Sequence, residues 1–222
     1  MRFISFVLLI IGLSLCPKTT FAYQQMPLAK KIIVIDAGHG GWDPGMVSGK
    51  VEEKNINLAI AKKLQVFLEQ GDATVIVTRL EDTGLANKKT ADMQARRLIA
   101  NTSKADIFVS IHQNSYKSSN IRGFQVFYFN ESDNSKKLAT SIQSQLKNFV
   151  NTGNKLEARA NKNYYVLKQT LMPAVLIECG FLTNPTDKNN LLTSEYQENI
   201  AWGIYLGIVD YFNETTKTPP DQ

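Results

Sequence analysis

The chain has 222 residues, a length for one domain or at most two small ones. Hydrophobic residues make up 43% and charged residues 20%, an ordinary globular balance that excludes a wholly disordered chain or a collagen-like repeat. Lys and Arg number 25 against 20 Asp and Glu, a formal charge of +5 that drops to +3 without residues 1–22, whose charged residues are Arg2 and Lys18. An excess that small argues against a nucleic-acid binder, although it can assist encounter with an anionic polymer.

The N-terminal 22 residues read as a targeting signal. Arg2 is followed by an apolar run over residues 3–16 (FISFVLLIIGLSLC), broken by Pro17. Thr20 and Ala22 approximate the small residues of a signal-peptidase site, predicting cleavage after Ala22 and an exported protein. The run is short for a membrane-spanning helix, so the alternative is an uncleaved N-terminal anchor. Leu15 precedes Cys16 where a lipoprotein site needs a small residue, which argues against lipidation. Cleavage would leave Cys179 alone, so a mature chain has no internal disulfide and depends on a hydrophobic core. Cys179 follows an apolar run and reads as a small buried residue rather than a nucleophile.

Beyond the signal, short apolar runs alternate with amphipathic segments. Residues 31–36 (KIIVID) predict a buried strand ending at Ala37-Gly38. Residues 55–70 carry Ile56, Ile60, Leu64, Phe67 and Leu68 at helical spacing, with Gly71 as the stop. A strand over 74–78 (TVIVT), a helix over 90–103, and strands over 106–112 (DIFVSIH) and 123–129 (GFQVFYF) follow. A helix over 135–150, a buried strand over 174–178 (AVLIE) and a helix over 194–212 complete the order. This alternation predicts a single-domain α/β fold, a mixed, mainly parallel sheet with helices on both faces. Residues 213–222 form a polar tail with Pro219-Pro220 that is expected to fray. Residues 155–169 mix Lys155, Arg159, Lys162 and Lys168 with Tyr164 and Tyr165. They read as a solvated loop and an edge strand, the alternative being a cleft rim where rings stack on sugars and cations meet carboxylates.

The chemistry-bearing residues cluster at predicted strand ends, where α/β proteins place ligand sites. His39 sits among glycines in Asp36-Ala37-Gly38-His39-Gly40-Gly41, and His112, the only other histidine, closes another strand. Glu52 and Glu53 stand at the entrance of the first long helix, and Glu178 ends a third strand. Two imidazoles and a carboxylate from separate elements form a set that suits Zn²⁺ in a catalytic site. Each residue also has a plain structural reading: a turn histidine, or a helix N-terminal acid favoured by the dipole. Glu178 is the most informative, because a carboxylate closing so apolar a strand is costly unless it has a partner or a task. Spacing alone leaves the choice open.

The strings Ile35-Asp36-Ala37-Gly38-His39-Gly40-Gly41, Glu53, Ser110-Ile111-His112-Gln113-Asn114 and Ile177-Glu178-Cys179-Gly180-Phe181-Leu182, in this order, resemble the zinc-dependent N-acetylmuramoyl-L-alanine amidases. That pattern reads GHGG, Glu, SIHxN and a late VExGFxxN, with Ile177 here in place of Val. The resemblance spans residues 31–212, and Thr78-Arg79, Arg96 and Ala105-Asp106 also fall on recurring positions. It implies His39, Glu53 and His112 as zinc ligands, with Glu52 as the fallback for Glu53, and Glu178 as the catalytic carboxylate. Asn114 and Asn184 are implied near the cleft as aids to substrate binding. The implied reaction is hydrolysis, by zinc-activated water, of the peptidoglycan bond joining the lactyl group of N-acetylmuramic acid to L-alanine, with Glu178 as proton carrier.

Some relatives carry a helical insertion between the second His and the catalytic Glu that blocks the zinc. Here the two are 66 positions apart, filled by one predicted strand, one helix and their connections. With no wall-binding repeat recognised, the design resembles the spore-cortex, germination-specific amidases, whose product permits muramic-lactam formation. Control would then come from timing, location or an activating partner protein, in the cell wall or the forespore intermembrane space. The competing readings are a zinc peptidase cutting within the stem peptide and a catalytically silent wall-binding protein.

Overall fold

The computed structural model describes residues 26–150 and 153–217. The signal or anchor expected over residues 1–22 therefore falls outside the described residues. Strand β1 (Ile32–Ala37) and the two-residue strands β2 (Val47–Ser48) and β3 (Val51–Glu52) lead into helix α1 (Glu53–Gln70). Strand β4 (Thr74–Val77), helix α2 (Lys89–Thr102) and strands β5 (Ile107–Asn114) and β6 (Gln125–Tyr128) follow. Helix α3 (Asp133–Val150), strand β7 (Arg159–Ala160), helix α4 (Tyr165–Gln169), strand β8 (Ala174–Phe181) and helices α5 (Pro185–Leu191) and α6 (Ser194–Lys217) complete the order.

Six strands form one sheet in the order β4-β1-β5-β8-β6-β7. The first four are mutually parallel, β6 is antiparallel to β8, and β7 pairs parallel with β6 at the edge. This is the mixed, mainly parallel sheet that the alternating pattern predicts.

Strand alternation divides the central residues between two faces. Ile33, Ile35 and Ala37, Ile107, Val109 and Ile111, and Val175, Ile177 and Cys179 enter the larger core, built with α1, α3 and α6. The four-residue spacing of Ile56, Ile60, Leu64 and Leu68 puts one face of α1 into that core, and Leu138, Ile142 and Leu146 do the same for α3. Each such fully buried Leu or Ile contributes about 1.5–3 kcal/mol over its exposed state. Val34, Phe108, Ala174 and Leu176 face the other side and pack with Ala100 of α2 and Val166 and Leu167 of α4. On this thinner face the pattern turns polar towards the C-terminal ends of the strands, at Asp36, Ser110, His112 and Glu178.

Several elements differ from expectation. Glu178 and His112 lie inside their strands rather than at the ends, because β5 and β8 stay paired beyond them to Asn114↔Phe181 across a register shift. Helix α6 continues past Phe212 to Lys217, so the first half of the expected frayed tail is helical; residues 218–222 lie outside the described residues. Residues 155–169 provide the edge strand β7, but then turn back over the sheet instead of remaining solvated. The Asn161 side chain accepts the N–H groups of Asn163 and Tyr164 at 2.7 and 3.1 Å, an Asx-type turn that delivers the chain into α4.

Candidate metal centre and active site

The loop leaving β1 is held tightly against its neighbours. Arg79 donates to the carbonyls of Ala37, Gly38 and Lys54 at 2.9, 3.0 and 2.8 Å. Arg96 donates to Asp36 Oδ1 at 2.7 Å, to Ala37 O at 2.8 Å and to His39 O at 2.7 Å. Asp36 is buried and also accepts from the hydroxyls of Thr78 and Ser110, at 2.9 and 2.7 Å. Burial pushes the Asp36 carboxyl up, but the Arg96 charge and the two hydroxyls outweigh it and hold its pKa below the usual value. Within this frame His39 adopts φ +59°, the left-handed region, which is uncommon for a residue with a side chain.

The loop meets α1 and β5 at one point. His39 Nε2 is 3.3 Å and His112 Nδ1 3.0 Å from Glu53 Oε1. Asp43 Oδ2 sits 2.8 Å from His39 Nδ1; a carboxylate has no proton to give, so this bond requires Nδ1–H and turns Nε2 inward. Glu53 is fixed by Gln113 N and Asn57 Nδ2 on Oε1, at 3.0 and 3.2 Å, and by Met46 N on Oε2 at 2.8 Å. Burial raises the Glu53 carboxyl, yet its contacts with His112 and His39 hold it far below the ordinary range. His39 is opposed by burial and raised overall by Glu53 and Asp43.

Two glycines make the convergence possible. A Cβ at Gly38 would stand 2.3 Å from the His112 ring. At Gly45, φ +66°, a Cβ would reach within 2.5 Å of Glu53 Oε2 and 2.7 Å of His39 Cδ2.

Of the sequence-predicted residues, His39, Glu53 and His112 come together, with ligand atoms all within 4.8 Å of one another. Glu52 does not join them: its Oε2 faces Lys54 Nζ at 3.4 Å and Asn55 Nδ2 at 3.4 Å. Two imidazole nitrogens and a carboxylate oxygen, with a second carboxylate orienting one ring, fit a Zn²⁺-type divalent metal in donor chemistry and outer support. Glu178 shares a cavity of about 290 Å³ with all three. Its Oε2 is buried without a hydrogen-bond partner among the described residues, while Oε1 accepts from Tyr164 Oη at 3.3 Å. Burial, reinforced by the Glu53 charge and opposed by His112, raises the Glu178 pKa to about 7.

The two asparagines stand apart from this cluster. Asn184 is the N-cap of α5, accepting from Asp187 N at 3.0 Å and donating to Ser119 O at 2.6 Å, so its side chain is occupied in holding two loops. Asn114 lines a neighbouring groove of about 650 Å³ with Tyr116, Arg159 and Lys162. Cys179 points away from Glu178 into the large core; burial raises its thiol pKa, in keeping with an inert buried residue.

Sequence reasoning missed Asp43 and set aside Tyr164. Asp43, four positions after His39, carried a signal in its spacing within the glycine-rich turn. Tyr164 had none beyond the Tyr164-Tyr165 pair, because its position depends on the turn at Asn161.

A mostly parallel sheet covered on both faces, with a His/Glu/His donor group and a buried carboxylate above one face, fits the architecture of a hydrolytic α/β enzyme. The chain belongs to the N-acetylmuramoyl-L-alanine amidase family, whose sequence profile matches residues 33–210. It is 37% identical over 204 residues to the germination-specific N-acetylmuramoyl-L-alanine amidase of Bacillus subtilis (strain 168), covering 88% of this chain and 85% of that one. It is also 37% identical over 191 residues to the probable cell wall amidase LytH of Staphylococcus saprophyticus, covering 85% of this chain and 60% of the relative. Among solved structures, the CwlD amidase from Clostridioides difficile in complex with the GerS lipoprotein superposes with TM-score 0.80 at 39% identity, covering 83% of this chain and 99% of that one. An N-acetylmuramoyl-L-alanine amidase from Clostridium difficile 630 gives TM-score 0.75 at 37% identity, covering 82% and 97%.

Proposed function

We propose that the protein is an exported, zinc-dependent peptidoglycan hydrolase that cuts the amide between N-acetylmuramic acid and the L-alanine of the stem peptide. The observation that carries this reading is the placement of a buried carboxylate, Glu178, whose Oε2 has no hydrogen-bond partner among the described residues, in one cavity with His39, Glu53 and His112. His39, Glu53 and His112 would hold the metal. When bound, Zn²⁺ supplies Lewis acidity, polarising the scissile carbonyl and lowering the pKa of a water.

Glu178 does the proton work. Its free Oε2 accepts the proton of the attacking water, and the same oxygen returns it to the amine that leaves as L-alanine's nitrogen. Burial raises the Glu178 carboxyl above the usual carboxylate range, which favours a group that can both accept and return a proton. Asp43 fixes the His39 tautomer, and Arg96 and Arg79 hold the loop that carries it. Asn114, in the groove beside the cavity, is assigned to substrate; the Asn184 assignment is carried through its cap, which shapes the loops near that groove.

The germination-specific name of this relative supports the role on spore cortex, ahead of muramic-lactam formation, that the motif resemblance implies. The lipoprotein in the CwlD complex supports an activating partner protein. Among the described residues no helix is long and apolar enough to cross a membrane, so any anchor would be the N-terminal segment.

The test is digestion of intact peptidoglycan by purified residues 23–222 with zinc, read by mass spectrometry. Free stem peptides beginning at L-alanine are expected, abolished by a chelator and restored by Zn²⁺. Fragments cut within the stem would overturn the amidase reading in favour of a peptidase. Binding of wall without any cleavage, in zinc-loaded protein supplied with its partner, would favour a silent wall-binding protein.

A further inference from the structure

Tyr164 belongs to no element of the metal cluster, yet among the described residues its hydroxyl is the one side-chain hydrogen-bond donor to the Glu178 carboxylate, at 3.3 Å from Oε1. The other oxygen, Oε2, is buried and bare. The two oxygens of the carboxylate are therefore unequal: one is tied, and one is free for a proton.

The tyrosine is itself held from three sides. Its ring meets Phe127 of β6 edge-on, centroids 5.4 Å apart at 77°. Its N–H donates to Asn161 Oδ1 at 3.1 Å, and Asn161 N in turn donates to Tyr128 O at 2.8 Å, so the turn is fastened to β6. Its carbonyl accepts from Lys168 N at 3.1 Å, the first turn of α4. Burial, with the Glu178 charge adding, pushes the phenol pKa well above its ordinary value, so the hydroxyl stays a donor across the working pH range. Tyr164 also forms the wall between the cavity of the metal cluster and the groove that holds Asn114.

We propose that Tyr164 is a positioning residue for hydrolysis, fixing the rotamer of Glu178 by donating to Oε1 so that Oε2 faces the reacting water and the leaving amine. The proposal rests on Glu178 being the proton carrier. Without the hydroxyl, the carboxylate rotates about its terminal torsion, which is broad for Glu, and presents the correct oxygen for a smaller share of the time. The hydroxyl touches Glu178, the proposed base, so its loss is expected to act on turnover more than on binding.

The experiment compares wild type, Tyr164→Phe and Glu178→Gln on soluble peptidoglycan fragments, with kcat, KM, thermal midpoint and zinc content measured for each. Tyr164→Phe keeps the ring against Phe127, so fold and zinc content are expected to match wild type. Its kcat is expected to fall about 10- to 100-fold, the range for losing a hydrogen bond to a charged group, with KM within about twofold. An unchanged kcat overturns the proposal. A loss of kcat that comes with a lower thermal midpoint or lost zinc also overturns it, because the tyrosine would then be structural. Glu178→Gln separates the two claims: if it turns over normally, the reading of Glu178 fails. If it is inactive while Tyr164→Phe is normal, only the positioning role fails.

Discussion

Glu178 of β8 is the direct register partner of His112 of β5 in a parallel pair. Parallel neighbours stand about 4.8 Å apart with partner side chains on the same face. The spacing between a candidate metal ligand and the candidate proton carrier is thus set by the backbone ladder of the sheet centre. Loop geometry enters through His39 and through the Asn161 turn that carries Tyr164.

From this relationship, Glu178→Gln should keep the fold and the metal while peptidoglycan hydrolysis falls by about 10²–10⁴, the usual contribution of a positioned acid–base group. Release of L-alanine-terminated stem peptides measures the rate, and zinc stoichiometry checks the site. Normal turnover would remove Glu178 from the mechanism.

Gly38→Ala attacks the same geometry from the neighbouring strand. Its methyl would occupy a point 2.3 Å from the His112 ring, so the ring must move. The expected result is a folded protein, destabilised by about 1–3 kcal/mol through overpacking, with little bound metal and little hydrolysis. Elemental analysis after dialysis, beside a thermal melt, reads both; full metal occupancy would show that the ring relaxes without cost.

Asp43→Ala removes the carboxylate that sits 2.8 Å from His39 Nδ1. Metal affinity is expected to weaken by about 10- to 100-fold, as for loss of an outer partner of a metal-bound His. Competition with a chromophoric chelator measures it. Asp43→Asn, which retains an acceptor for Nδ1–H, should lie between alanine and wild type.

Acid should loosen the loop frame through Asp36. Its folded pKa lies below its unfolded value of about 3.9, so its stabilising contribution is fully present above that pH and fades as pH falls through the folded pKa. Arg96→Met leaves the buried carboxylate uncompensated and should cost about 3–5 kcal/mol at neutral pH. The same variant can then protonate Asp36 more readily, so the gap to wild type should narrow on acidification. Urea unfolding at neutral pH and near pH 4 gives both differences; a gap that widens would contradict the ion-pair account.

The long elements were readable because each carries its periodicity over many residues: Ile56, Ile60 and Leu64 of α1, or the unbroken run Ala174–Ile177 of β8. His39 and Glu53 stand out at the exit of β1 and the entrance of α1, and His112 closes the apolar run of β5, but it is the motif resemblance and not the spacing that singles them out as ligands. The two-residue strands β2, β3 and β7 and the short helices α4 and α5 hold too few residues to show a period. Tyr164 illustrates the harder limit. Its contact with Glu178 depends on one asparagine turn and on the packing of β6, neither of which leaves a spacing signature. Asn184 illustrates a related limit: its motif position is legible in the sequence, but its cap on α5 and its bond to Ser119 O depend on two loops meeting.

Adjacent residues of β8 serve opposite faces: Cys179 enters the large core and Glu178 the cleft. A slip of one position would exchange them, turning a carboxylate into the large core with Ile111 and Leu191 and a thiol towards His39, Glu53 and His112. Such a chain would carry an unpaired charge in hydrocarbon, at a cost comparable to much of a domain's net stability. Strand register and the placement of Glu178 beside His112 are therefore secured by the same burial, and a molecule that pairs β8 out of step is disfavoured as a folded species.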